Sequence, residues 1–349
     1  MKEDMLSRGQ WGALLWVAAL APAAELLPGT ALETAGRGGW LSPLAAIIFL
    51  LPLLLAAGRG EGAFRRESVW RTPALILCAV WMELLLILRL ALCARRMLWA
   101  GERDGAVWYF LLTLSALALW MGQGALGTLG RAGQIFLVLL LGAAGLVLGL
   151  SVPQVRADRL LPLWTRDVFP VLRSSLNTAG HLCWALLPLL LLPSRSRTGK
   201  TCLLWGAGGC VLLTLAQIII IGNLGVGLSA RSQSAFFALT KSVGVEGAFQ
   251  RVESVVSALW MLSDLTACVV LSHAIGLIWN GRVFHVKRET VSSFALLAGT
   301  GAALWMLRWG APVEMWNREW VWLGNLVACA AAVIAGSKGE TMVKKPKSR

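Results

Sequence analysis

Ten long, nearly uncharged apolar runs decide what this chain can fold into: 11–30, 40–57, 74–94, 106–126, 134–152, 177–192, 202–222, 255–278, 291–307 and 321–335. About 20 apolar residues wound as a helix cross the roughly 30 Å hydrocarbon core of a bilayer, and each run is near that length. The runs are continuous rather than alternating, which excludes a transmembrane β-barrel. A soluble core cannot absorb them either. Hydrophobic residues make up 57% of the 349-residue chain and charged residues 14%, against roughly 25% charged in an ordinary soluble domain. The net charge of +14 comes from short basic segments between the runs, so nucleic-acid binding is excluded and an all-α polytopic membrane protein is expected. The first run is too long for the apolar core of a signal peptide and is expected to remain as a span.

With the N-terminus inside, the inner segments carry more Lys and Arg than the outer ones, and the chain ends in the basic stretch Lys344-Lys345-Pro346-Lys347-Ser348-Arg349. Both termini are therefore placed in the cytoplasm. The seven cysteines all fall within or at the edge of apolar runs with no metal-ligand spacing, which reads as packing rather than disulfide or metal chemistry. Eighteen tryptophans accompany a single tyrosine, and Trp11, Trp40, Trp70, Trp99, Trp309 and Trp320 lie near span ends, where aromatic belts form. No phosphate-binding, zinc-protease or nucleophile-elbow motif is present and the three histidines are scattered. A non-enzyme without cofactor or metal is expected.

The ten spans divide as five plus five: a first repeat over 1–152, a connector over 153–176, a second repeat over 177–336 and a basic tail over 337–349. An odd number of spans per half makes the second half enter the membrane from the opposite side, the topology of an inverted repeat. Two prolines and an acid interrupt the first span, Ala21-Pro22-Ala23-Ala24-Glu25-Leu26-Leu27-Pro28, and the sixth carries Asn177-Thr178-Ala179-Gly180-His181 followed by Pro188. Proline removes a helix donor and clashes with the preceding turn. Breaks in helices 1 and 6 are therefore expected, and paired interruptions of this kind point to a midplane binding site. Ordinary proline kinks are the alternative.

Ionisable groups at membrane depth are costly and are functional candidates by default. Glu25, between the two prolines, could meet a ligand's ammonium group or cap backbone donors freed by the break. Ala24 and Leu27 flank it as ligand-site candidates. Glu83, mid-span, could contact ligand or sit as a neutral acid between helices. Arg89 reads as a snorkelling side chain at the outer end of its span. Ser263, Asp264 and Thr266 form an oxygen-rich group in span 8 suited to Na⁺ or to a proton relay. Asn177, Thr178 and His181 supply short polar groups on span 6 for a small polar ligand, or simply hydrogen-bonded packing.

The segment Phe249-Gln250-Arg251-Val252-Glu253, followed by Trp260 at the start of span 8, resembles the hallmark of the spore germination permeases, the B-type subunits of nutrient germinant receptors within the amino acid–polyamine–organocation superfamily. Ser7-Arg8-Gly9-Gln10 before span 1, Pro28 near its end and Gly38-Gly39-Trp40-Leu41-Ser42 entering span 2 agree with that family, and the resemblance covers nearly the whole chain. It implies a five-plus-five inverted repeat in the spore inner membrane. A small, often amino-acid-like nutrient would bind beside broken spans 1 and 6, and A-type and C-type subunits would be partners. It also implies a structural role for Arg251, Glu253 and Trp260. Where relatives have glycines in the span 1 break this chain has Ala21-Pro22-Ala23-Ala24-Glu25, and His181 stands where an acid is common. That inversion of charge suits a cationic or differently arranged ligand. The expected function is nutrient sensing, with membrane lipid, the A-type and C-type subunits and the nutrient as partners. Alternating-access transport of an amino acid or cation is the runner-up, and a structural assembly subunit is a third reading.

Overall fold

The computed structural model describes residues 5–59, 71–99, 106–161, 163–194, 199–232, 234–242, 252–279 and 288–337. Within them each of the ten apolar runs lies on helix. The first five are α1 (Arg8–Ala35), α2 (Ser42–Arg59), α3 (Arg71–Trp99), α4 (Val107–Gly122) and α5 (Leu126–Ser151). The sixth run is divided between α6 (Val168–Cys183) and α7 (Leu186–Leu191). Then follow α8 (Gly199–Arg231), the short α9 (Ala235–Ser242), α10 (Val252–Trp279), α11 (Arg288–Arg308), the short α12 (Val313–Glu319) and α13 (Val321–Ser337).

Six helical segments among the described residues are long and apolar enough to cross a membrane. The first of them, Arg8–Ala56, runs through α1, a 3-10 link and α2. Val107–Gly122 and Val321–Val333 are shorter apolar helices. Large apolar side chains stand exposed on the outside, among them Ile48, Trp120, Val138, Leu204 and Phe294, the pattern expected of helices whose solvent is lipid. Trp309 and Trp320 are exposed as belt residues would be. Trp11 is not: it is buried, and its indole N–H donates to the Leu189 carbonyl at 3.1 Å.

α1 starts at a capping box in which Gln10 N–H donates to Ser7 Oγ at 3.3 Å and Ser7 N–H donates to Gln10 Oε1 at 2.9 Å. These exchanged bonds satisfy donors that a helix start leaves open. The expected break in span 1 is absent: α1 is helical from Arg8 to Ala35 with Pro22 and Pro28 inside it. Each proline removes one ladder bond, freeing the carbonyls of Ala18 and Ala24. Helices α5, α6, α8 and α10 pack around α1 and hold it in one piece, as neighbours do for prolines in membrane helices. It ends at Gly36, whose φ of 53° is easy for glycine alone, and a 3-10 turn over Gly36–Leu41 leads to α2.

Span 6 differs from expectation in two ways. Helix begins at Val168, inside the stretch read as a connector, and Asn177 to His181 are regular helix. The interruption falls later, at Trp184-Ala185. Pro188 explains it: having no N–H, it leaves the Trp184 carbonyl without its usual donor, and Leu187 N–H takes that carbonyl at 3.2 Å in a tighter turn. Just before the interruption α6 meets α13 closely. A Cβ on Gly180 would lie 2.4 Å from the Trp322 carbonyl oxygen, and Asn325 Nδ2 donates to the Gly180 carbonyl at 2.9 Å.

Candidate functional site

α3 runs past the end of its apolar run, so Arg95 and Arg96, expected in a loop, belong to the helix. Arg96 is only 6% exposed. One of its terminal nitrogens pairs with Glu25 Oε2 on α1 and the other with Asp264 Oδ2 on α10. A lone charge at this depth costs several kcal/mol, on the order of 3–5 when its partner is removed, and a guanidinium fork facing two carboxylates answers that cost on both sides. The Arg96 guanidinium also lies 5.5 Å from the centre of the Trp260 ring. Trp260 packs in turn on Phe236 and Phe237 of α9. One side chain therefore ties α1, α3 and α10 together, with α9 behind.

Two acids singled out from the sequence, Glu25 and Asp264, thus meet through a base that was not. The adjoining hydroxyls are used locally. Ser263 Oγ donates to the Val17 carbonyl on α1, and Thr266 Oγ1 donates to the Leu262 carbonyl one turn back at 2.8 Å. Asp264 Oδ1 and Arg96 Nε are buried without a hydrogen-bond partner.

Beside this bridge lies a polar cavity of about 320 Å³, lined by Pro22, Glu25, Leu26 and Gly29 of α1, Arg89, Leu92, Arg95 and Arg96 of α3, Ser232, and Glu314, Asn317 and Arg318 of α12. Arg95 pairs with Glu314 and donates to the Ala311 carbonyl at 3.0 Å, and Arg318 pairs with Glu33. Arg89 does not reach outward as a snorkelling side chain would. It is 5% exposed, with its guanidinium 4.7 Å from the centre of the Trp184 ring. Side chains at 89 and 96 fall two helical turns apart on one stripe of α3, a spacing that could have revealed the pair.

The other candidates lie elsewhere. Leu27 is buried and Ala24 half-buried next to Glu25 on α1. Glu83 is half-buried, and its Oε1 has no hydrogen-bond partner and faces Gly299 on α11. On α6, Thr178 and His181 are buried, Asn177 is half-buried and His181 Nε2 is unpartnered. None of these α6 residues lines the polar cavity. The cavity that does lie between α1 and the α6–α7 junction is apolar and about 40 Å³, lined by Leu15, Ala19, Leu182, Leu186 and neighbours. That is room for about one water, whose share of liquid volume is about 30 Å³. Trp260 is placed as described, Glu253 belongs to α10 though its side chain lies outside the described residues, and Arg251 lies outside them altogether.

This arrangement of helices is shared with solved membrane transporters. MhsT in complex with L-phenylalanine aligns with a TM-score of 0.64 at 15% identity, over 96% of this chain and 99% of that one. A Na⁺-coupled sialic acid symporter in a substrate-bound, outward-open state gives 0.61 at 13% identity, over 94% and 89%. A manganese transporter of Eremococcus coleocola gives 0.55 at 14% identity, over 93% and 76%. At such identities the likeness is one of fold. No curated protein matches by sequence. The sequence model of one family does match, over residues 103–307, which include α9, α10 and the Trp260 that backs the buried bridge. By that match, over more than half of its length, the chain belongs to the spore germination protein (spore permease) family.

Proposed function

We propose that this chain is the transporter-like membrane subunit of a spore germinant receptor. It would bind a small nutrient and pass its occupancy to A-type and C-type partner subunits in the spore inner membrane. In this reading the ten apolar helices form two inverted halves of five, with both termini in the cytoplasm. The observation that carries the proposal is the joining of α1, α3 and α10 by Arg96 at the edge of a polar cavity large enough for a small solute. A ligand that binds better to one arrangement of these helices shifts the population toward it, and the partner subunits respond to the arrangement that prevails. Family membership and the transporter fold support the reading.

The test is affinity purification of the tagged chain from dormant spore membranes of its native host, with partners identified by mass spectrometry. Recovery together with A-type and C-type subunits is the expected result. The chain alone in vegetative membranes, and absent from spores, would overturn the receptor role. The second reading, alternating-access transport, is favoured by the nearly full-length fold likeness to solute symporters. Concentrative uptake by proteoliposomes containing the chain alone would select it.

A further inference from the structure

Of the acids singled out inside apolar runs, Glu83 alone stays outside the buried bridge and outside the wall of the polar cavity. It lies near the midpoint of the apolar segment Thr72–Leu98 of α3, about 3 Å from it along the axis at 1.5 Å per residue. Its Oε1 is enclosed without a hydrogen-bond partner and faces the backbone of Gly299 on α11, where a Cβ would come within 3.3 Å. Among the described residues Oε2 has no hydrogen-bond partner either, and it is not enclosed. The surroundings open to lipid: Val80 and Leu84 on α3 and Leu297 on α11 are each about half exposed.

No counter-charge meets this carboxyl. Helices α4, α10, α11, α12 and α13 pack against α3, and α4 and α13 carry no charged side chain. On α11 the charged residues are Arg288 and Glu289 at one end and Arg308 at the other, roughly 13 Å or more along the axis from Gly299. Asp264 on α10 is held by Arg96, and Glu314 and Arg318 on α12 are held by Arg95 and Glu33. Neither these groups nor His273 and Glu319 act on Glu83, whose environment is set by burial alone. Arg89 lies about 240° round α3, on its far side. The nearby hydroxyls are taken up elsewhere: Thr300 Oγ1 donates to the Leu296 carbonyl and lies 2.8 Å from Ser115 Oγ, which donates to the Leu111 carbonyl. An isolated carboxylate in such surroundings takes up a proton rather than stay charged, and the protonated acid needs no counter-ion.

From this we infer that Glu83 is a proton-binding site in the lipid-facing seam between α3 and α11: a neutral carboxylic acid, closed to water and open to hydrophobic reagents of the carbodiimide class. It stands apart from the solute cavity, so the inference does not rest on the sensing role. Water reaches the carboxyl only if α3 and α11 part, so the bound proton marks that seam as closed. In the reaction with a carbodiimide the acid's proton passes to one nitrogen while its oxygen adds to the central carbon, giving an O-acylisourea. Migration of the acyl group to nitrogen then leaves a stable N-acylurea on Glu83, with no leaving group and no oxidant.

The test is carbodiimide labelling of the purified full-length chain in phosphatidylcholine vesicles at neutral pH, with the sites found by peptide mass spectrometry. The probes are dicyclohexylcarbodiimide, which enters lipid, and the cationic, water-soluble ethyl-dimethylaminopropyl-carbodiimide. The expected result is an adduct at Glu83 from the first and none from the second. Glu83→Gln, neutral and nearly the same shape, should lose that adduct while eluting and melting as the native chain does.

No adduct at Glu83 would overturn the inference. So would equal labelling there by the water-soluble reagent, which would show a carboxyl open to water. Destabilisation by Glu83→Gln that Glu83→Asp avoids would show that a charge is needed at this position and overturn it as well. The labelling pattern of the native chain decides the matter even where both variants fail to fold. Partner recovery from spore membranes is read separately, so the proton site and the receptor role can each fail alone.

Discussion

Arg96→Met keeps most of the stem and removes the charge, leaving Glu25 and Asp264 facing each other without the base between them. Removing one member of a buried pair costs about 3–5 kcal/mol. The purified variant should melt about 4–7 °C lower, measured by intrinsic tryptophan fluorescence in detergent. Glu25→Gln should cost less, because Asp264 still holds the guanidinium. The two substitutions together should be non-additive by about 0.5–3 kcal/mol; additive losses would show that the three side chains do not act as one unit. At this scale the sequence was only half legible. Glu25 and Asp264 stand out as acids inside apolar runs, whereas Arg96 follows the last apolar residue of its run and looks like a loop charge. Only packing, which carries α3 on to Trp99 and places α10 against both α3 and α1, makes it the centre of the cluster.

Helices α6 and α13 touch through backbone at Gly180, where any Cβ would press on the Trp322 carbonyl. Gly180→Val should sharply reduce the yield of folded protein in size-exclusion chromatography. Gly142→Ala on α5, with nothing within 4 Å of the added atom, should leave the elution profile unchanged. Pro22→Ala tests the continuity of α1. In an already regular helix it restores a hydrogen bond and should hold or raise the melting temperature, whereas a functional break would be damaged by it. Helix positions were legible because hydropathy over about 20 residues averages out local detail. The breaks were not, because proline fixes only which bond is lost. Whether the chain then bends, breaks or carries on is decided by what surrounds it: α1 is enclosed by four helices and carries on, while Pro188 shifts the lapse in span 6 to Trp184-Ala185.

For the whole molecule, all seven cysteines are buried and none is in a disulfide. A membrane-impermeant maleimide should label the folded protein in native membranes hardly at all and label all seven sites after denaturation in detergent. Strong labelling of the native chain would contradict the packing of α3, α6, α8, α10 and α13, which carry them. The buried charges have a consequence at this scale too. Glu25, Asp264, Arg89 and Arg96 sum to zero, so a rearrangement that moves them together carries no current through the membrane's electric field. If α1 moves without α3, Glu25 travels without its counter-charge, and a full crossing by one charge is worth about 2.3 kcal/mol per 100 mV. Under the proposed sensing role, how steeply the response depends on voltage would report whether the Arg96 bridge holds or opens.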